Sequence, residues 1–302
     1  MERVSTCGLT QSLIASTLAM QSRMAEAQVQ SSSGLLATTY AGLGADSGAL
    51  IALETELTRM DTWSSNTETA LSRVQSMYDA VGSMTDVMTS LRATISAALS
   101  DTTGAGDYAA TAQGLMEEFA SLLNTQLDGR YLFSGGDATD PAVPSEYSGY
   151  PVQTVPSTAN TGYYMGDDSI ASVRVSEERT VEYGVTADNG AFEEAIRALS
   201  LVANATSTPL DTATFEEAYD LALGALNDLT AVQSGLSLKA EQLERAQHTQ
   251  ETTKSLVEGS ITDLKSSDTA EVSVRLAEYE TLLQASYSAL ASATSLTLVD
   301  YL

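Results

Sequence analysis

The chain has 302 residues, 40 acidic and 14 basic, and a formal charge of −26. So acidic a surface repels phosphate backbones and anionic headgroups, which makes nucleic acid and membrane surfaces poor partners. A single cysteine, Cys7, rules out an intrachain disulfide and a cysteine-based zinc site, and the length is ample for more than one core.

The opening residues imitate a signal peptide only loosely. Glu2 spoils the basic start, and Thr10, Gln11, Ser12, Ser16 and Thr17 interrupt the apolar run. No segment is apolar enough to span a bilayer. Leu9, Leu13, Met20, Met24 and Ala27 instead fall three, four or seven residues apart, which puts them on one stripe of a helix. Ser31-Ser32-Ser33-Gly34 reads as a joint after it.

From Leu50 to Leu99 a 3-4 stepping predicts one long packed helix of roughly seven heptads. Its seam runs through Leu53, Leu57, Met60, Thr67 and Val74, then Tyr78, Val81, Thr85, Met88, Arg92 and Ile95. Fifty residues of helix would be about 75 Å long, which a compact globule rarely contains. Asp101 to Asp107 has turn composition, and Ala112, Leu115, Phe119 and Leu122 mark a shorter helix ending near Gly129.

The middle changes character. Four of the five prolines lie between Pro141 and Pro156, which excludes helix there. Residues 172–175 and 180–185 alternate as strands, with 176–179 as the turn of a hairpin. Asp188-Asn189-Gly190 is a further turn. Thr214-Phe215-Glu216-Glu217 has the form of a capping box. From Phe215 a second long seam steps through Ala218, Ala222, Ala225, Leu229, Leu236, Leu243 and Gln250 to Leu264, matching the first long helix in length. Asp268-Thr269-Ala270-Glu271 caps a last helix, whose seam is Leu276, Tyr279, Leu283, Leu290 and Ala293, continuing to Leu296.

The expected fold is mainly α: a long antiparallel helical, coiled-coil stalk built from both chain ends, with a small β-rich outer domain inserted. Terminal helices over 1–40 and 268–302 serve assembly, 45–129 and 192–264 form the helical bundle stalk, and 130–191 is the β-rich outer domain. The insertion is expected to be dispensable for the fold of the helices. The two terminal seams are the expected assembly interface, because a stripe needs a partner to cover it.

Several stretches resemble the flagellin superfamily, and within it the family of hook-associated protein 3, which joins hook to filament. The opening MERVST with Gln21, Gln28 and Ser31-Ser32-Ser33-Gly34 is similar to that family's start. Asn124 to Gly136, containing Arg130, Tyr131, Leu132, Phe133, Ser134 and Gly135, resembles the junction protein's exit from its stalk. Filament flagellins usually have a leucine pair in place of Tyr131-Leu132-Phe133. Tyr163 to Asp168 and Val181 to Asp188 look like the junction protein's outer domain, and the stretch from Ser267 onward is similar to the shared flagellin C-terminus. Residues 38–47 lack the Asp-Asp-Ala-Ala-Gly segment of ordinary flagellins, and Cys7 is unusual for the family.

The resemblance implies a structural subunit of the bacterial flagellum. Subunits would leave through the flagellar type III route, with an export chaperone and no cleaved signal, and self-associate in an extracellular ring between hook-associated protein 1 and flagellin. Two alternatives stay open: a filament-forming flagellin, or an unrelated secreted coiled-coil protein. For an enzyme there is little. Carboxylate pairs such as Glu193-Glu194 are adjacent, and adjacent helical residues point apart. His248, the single histidine, sits among polar neighbours, and Gly104-Ala105-Gly106 lacks the strand that a phosphate loop needs. No catalytic, cofactor-binding or metal-binding residue is expected.

Overall fold

The computed structural model describes residues 2–101, 106–136, 138–205 and 211–295. Among the described residues six α-helices dominate: α1 (Glu2–Ser33), α2 (Ser47–Ser100), α3 (Tyr108–Leu123), α4 (Gly190–Ala203), α5 (Thr212–Lys265) and α6 (Thr269–Ser295). A 3-10 segment, Tyr40–Asp46, leads into α2. The strands are few and short: β1 (Gln126–Leu127) pairs with β2 (Arg130–Tyr131), and β3 (Ser172–Arg174) with β4 (Thr180–Glu182), both antiparallel. The chain divides into two compact units. One takes both ends, up to Arg59 and from Thr253; the other is Met60–Thr252.

Both long helices form as their periodicity requires, each with 54 residues. Along α5 the seam falls where the stepping puts it. Phe215, Ala218, Ala222, Ala225, Leu229, Leu236, Leu243 and Ala246 are buried. Its alanines lack a long side chain, so neighbouring backbones can approach closely.

The α2 seam departs from the expected one. After Thr67 the buried positions are Ala70, Val74, Met77, Val81, Met84, Met88, Leu91, Ile95 and Ala98. Tyr78 and Leu99, expected in the seam, are 39% and 42% exposed. Two successive three-residue steps, 64 to 67 to 70, break the expected alternation, so every second seam position moves back by one residue, from Tyr78 to Met77 and from Arg92 to Leu91, while Val74, Val81, Met88 and Ile95 stay buried. Arg92 is left at the border, where its guanidinium lies 5.4 Å from the Tyr219 ring centre and bonds its hydroxyl at 3.2 Å. At the break, Gln250 Nε2 donates to Thr67 Oγ1 at 3.2 Å and to the Val175 carbonyl at 2.7 Å. This buried polar layer ties α2, α5 and the end of β3 together.

The expected capping box is not formed. Asp211 caps α5 instead, accepting from the Ala213 N–H at 3.3 Å and from the Thr214 hydroxyl at 2.7 Å. Glu217 turns to the insertion and accepts from the Ser157 N–H at 2.7 Å and its hydroxyl at 2.5 Å. A carboxylate that meets an N–H and a hydroxyl from a neighbouring loop has no need of its own helix end.

The β3–β4 hairpin pairs Ser172 with Glu182 and Arg174 with Thr180, closing through the expected turn. The shorter helix ends at Leu123 rather than near Gly129. Asn124 stops it, and its amide then pairs with both backbone groups of Val143, at 2.8 and 3.1 Å. Asp128 and Gly129 follow at φ 53° and 73°, the left-handed pair that a two-residue hairpin requires.

The insertion does not stand apart from the helices. Phe133, Val143, Tyr163, Val173, Val181 and Tyr183 share one buried cluster with α2, α3, α4 and α5. The Phe133 and Phe192 rings meet edge to face at 5.7 Å. Helix α4 is buried on nearly every side, including Glu193, which pairs with Arg197 at 3.4 Å and accepts from the Asn160 N–H at 2.9 Å. Burial pushes the Tyr163 phenol well up, with the Glu193 carboxylate adding to it, so it stays neutral and donates to the Ala187 carbonyl.

Candidate assembly surface

Helix α1 ends because Gly34 takes φ 69°, with its N–H still bonded to the Gln30 carbonyl at 2.9 Å. Helix α6 starts because Asp268 Oδ1 accepts from the N–H groups of Ala270 and Glu271, at 2.9 and 3.2 Å, as its sequence predicts. Between them the helices are long enough to pack against each other, and they do so in opposite chain directions. Gln21 Nε2 donates to the Tyr287 hydroxyl at 2.5 Å. Met24 and Leu283 line the same groove between the two helices, which measures about 430 Å³.

The seams close this pair. Thr17, Ala27, Val272 and Leu283 are buried, and Leu13, Met20, Met24, Leu276, Tyr279 and Leu290 are half-buried. The side chains of Cys7, Leu9 and Ala293 lie outside the described residues, as does Leu296 altogether. Thr17 fits an apolar seam because its hydroxyl bonds back to the Leu13 carbonyl at 2.8 Å.

A second stripe on the same helices has no cover. Ile14, Leu18 and Val29 are 44%, 61% and 48% exposed, and with Ala25 they step by four, seven and four along α1. On α6, Val274 and Leu282 are 61% and 48% exposed, with Ala285 and Ala289 exposed in line. Each stripe lies about 100° round its helix from the seam. Exposed single leucines are ordinary, but an apolar line along a helix marks a contact surface. Sequence reasoning stopped at the stronger stripe of each helix. The four-residue step from Ile14 to Leu18 was the available sign of the weaker one.

The stalk-exit segment has a different character. Leu132, Phe133 and Ser134 are buried, with Ser134 Oγ donating to the Asp140 carbonyl at 2.8 Å. Gly135, at φ 77°, passes so close to Asp167 that a Cβ there would lie 2.2 Å from its carbonyl oxygen. Tyr131 is half-buried and Arg130 exposed. These residues form a packed corner joining the hairpin to the helices.

The bacterial flagellin N-terminal helical region matches residues 4–138, and the flagellin C-terminal helical region matches residues 220–302. The chain belongs to the flagellin superfamily. Its fold is shared by a protein solved as a flagellar hook-associated protein of Vibrio parahaemolyticus, with TM-score 0.57 and 16% identity over 76% of this chain and 99% of that one. It is also shared by FlgL of Bacillus cereus, with TM-score 0.50 and 14% identity over 71% and 97%. At such identities the likeness is one of fold. No curated protein sequence matches the chain.

This flagellin-superfamily protein is a structural subunit. Among the described residues no group of three or more His, Cys, Asp or Glu could hold a metal ion. Among them, too, no helix is long and apolar enough to cross a membrane.

Proposed function

We propose that the chain is a hook–filament junction subunit of the bacterial flagellum, self-associating in a ring through its terminal helix pair. The observation that carries the assembly role is the pair of uncovered stripes, Ile14, Leu18 and Val29 on α1 and Val274 and Leu282 on α6. The seams at Leu13, Met20, Met24, Leu276, Tyr279, Leu283 and Leu290 hold the pair closed, and each helix then presents its second stripe to neighbouring subunits. Many shallow contacts repeated round a ring give a stable whole through multivalency. Hook-associated protein 1 below and flagellin above are the neighbours this reading assigns. Export through the flagellar type III route, with a chaperone, delivers the chain to an extracellular site. In the assembly, 1–40 and 268–302 form the inner tube, 45–129 and 192–264 the stalk, and 130–191 the outer face.

The junction role, as against a filament role, draws on the stalk-exit segment from Arg130 to Gly135 and on the fold shared with the Vibrio parahaemolyticus structure and with Bacillus cereus FlgL. Deleting the gene tests it. Loss of the filament with the hook intact, and flagellin shed into the medium, is the expected outcome. A filament that persists with altered composition or shape would make the chain a flagellin.

A further inference from the structure

The chain enters and leaves the terminal helix pair at a single place. Leu36 N–H donates to the Lys265 carbonyl at 2.7 Å, and Ser267 N–H donates to the Gly34 carbonyl at 2.8 Å. Gln30 Nε2, from the last turn of α1, donates to the Leu36 carbonyl at 2.8 Å. The end of α1 and the α5–α6 connection are therefore stitched by two hydrogen bonds, and the third folds the chain after α1 back onto α1.

One side-chain cluster sits on these stitches. Lys265 Nζ lies 2.5 Å from Glu54 Oε1, and the Tyr40 hydroxyl donates to Glu54 Oε2 at 2.6 Å. Both carboxylate oxygens of Glu54 are taken, each by a different element. Lys265 is used twice: its carbonyl holds Leu36 and its ammonium holds Glu54. It is one of three lysines in the chain, and it stands in the last turn of α5, where the helix dipole favours a cation. The Lys265 ammonium and the Tyr40 hydroxyl hold the Glu54 carboxyl below the ordinary carboxylate range, while Glu54 pushes both Lys265 and Tyr40 up.

We propose that Tyr40, Glu54 and Lys265 form an ionic clasp that locks this joint, so that α1 and α6 leave it as one fixed pair and not as two separately hinged arms. An exposed ion pair by itself contributes little, because solvent screens it and two long side chains must be ordered. Arg245 and Glu241, one turn apart on α5 and both more than half exposed, are such a pair and close nothing. The clasp differs in topology. It spans segments more than 200 residues apart in sequence and closes a ring whose other side is the Leu36–Lys265 backbone bond. Freeing either side leaves the other to hold the joint alone, so the two sides open together.

Amide hydrogen exchange on the full-length monomer tests this, without reference to assembly. Lys265→Met keeps the apolar stem and removes the charge; Glu54→Gln keeps the size. In Lys265→Met the Leu36 and Ser267 amides should exchange about tenfold faster or more, while Leu91 and Leu229 in the 60–252 unit keep their wild-type rates. The double variant should exchange no faster than Lys265→Met, because the two residues act as one device. Wild-type rates at Leu36 and Ser267 in both single variants would overturn the proposal. So would an equal rise throughout the chain, or strictly multiplicative effects in the double variant. Because the readout is local and monomeric, its failure leaves the assembly role standing, and failure of that role leaves the clasp standing.

Discussion

Single residues in this protein divide into those that close the core and those that carry charge at its edge. Phe133 is fully buried against Phe192, and its carbonyl accepts from the Ala187 N–H at 2.9 Å. Phe133→Ala removes the ring and leaves a cavity between the insertion and α4. The expected cost is about 3–5 kcal/mol, read from denaturant unfolding. Glu194 is the opposite case. Partial burial, the nearby Asp228 and the adjacent Glu193 raise its carboxyl, and Arg197 opposes them. A carboxyl whose folded pKa stands above its unfolded value binds its proton more tightly in the fold. Stability attributable to Glu194 therefore grows as pH falls through that window and is lost above it. Glu194→Gln should raise the melting temperature at pH 7, and the gain should shrink on acidification. A variant no more stable than wild type at pH 7 would show that Arg197 outweighs the burial.

At the scale of elements, α1 and α6 carry two stripes with different tasks, and single aspartates separate them. Leu283→Asp places a carboxylate in the buried seam, where an unpaired charge is costly. It should separate α1 from α6, seen as faster exchange along both helices in the monomer. Leu18→Asp or Leu282→Asp falls on the exposed stripe. These variants should melt as wild type does and keep the pair closed, yet fail to restore filaments to a strain lacking the gene. Full motility with Leu18→Asp and Leu282→Asp combined would remove the second stripe from the assembly surface. The register of α2 is an element-scale matter too. Thr67 and Gln250 occupy its break, and Gln250→Ala should destabilise the fold, because Thr67 and the Val175 carbonyl lose their donor together.

For the molecule as a whole, the shared core alters the standing of the insertion. Chain order makes 130–191 look like a removable domain. Its buried Phe133, Val143, Tyr163, Val173 and Val181 instead complete the core of α2 to α5. Replacing residues 135–188 with a short glycine–serine linker should therefore cost cooperative melting of the long helices, through exposure of Phe119, Phe192 and Leu199. Retention of a sharp, wild-type transition by that variant would restore the view of the insertion as a separate body.

The sequence by itself determined the two long helices and the start of α6, because periodicity and a local cap mark them, whereas the end of α3 at Leu123 and the separate helix α4 were not legible in it. The 54-residue helices, the Asp268 cap and the 172–182 hairpin each follow from residues a few positions apart. It determined the α5 seam as well, since one unbroken stepping had no rival. The α2 seam had one. Steps of three and four both stay on a stripe, so the choice of Met77 over Tyr78, or of Leu91 over Arg92, fell to the helices that pack there. Tertiary structure also decided that Glu217 turns to Ser157 rather than to its own helix end, and that the insertion completes the helical core. It alone brought Tyr40, Glu54 and Lys265 together, since no local pattern links positions so far apart. A stripe announces that a helix needs a partner; which partner covers it is fixed only when distant segments compete for the same apolar surface.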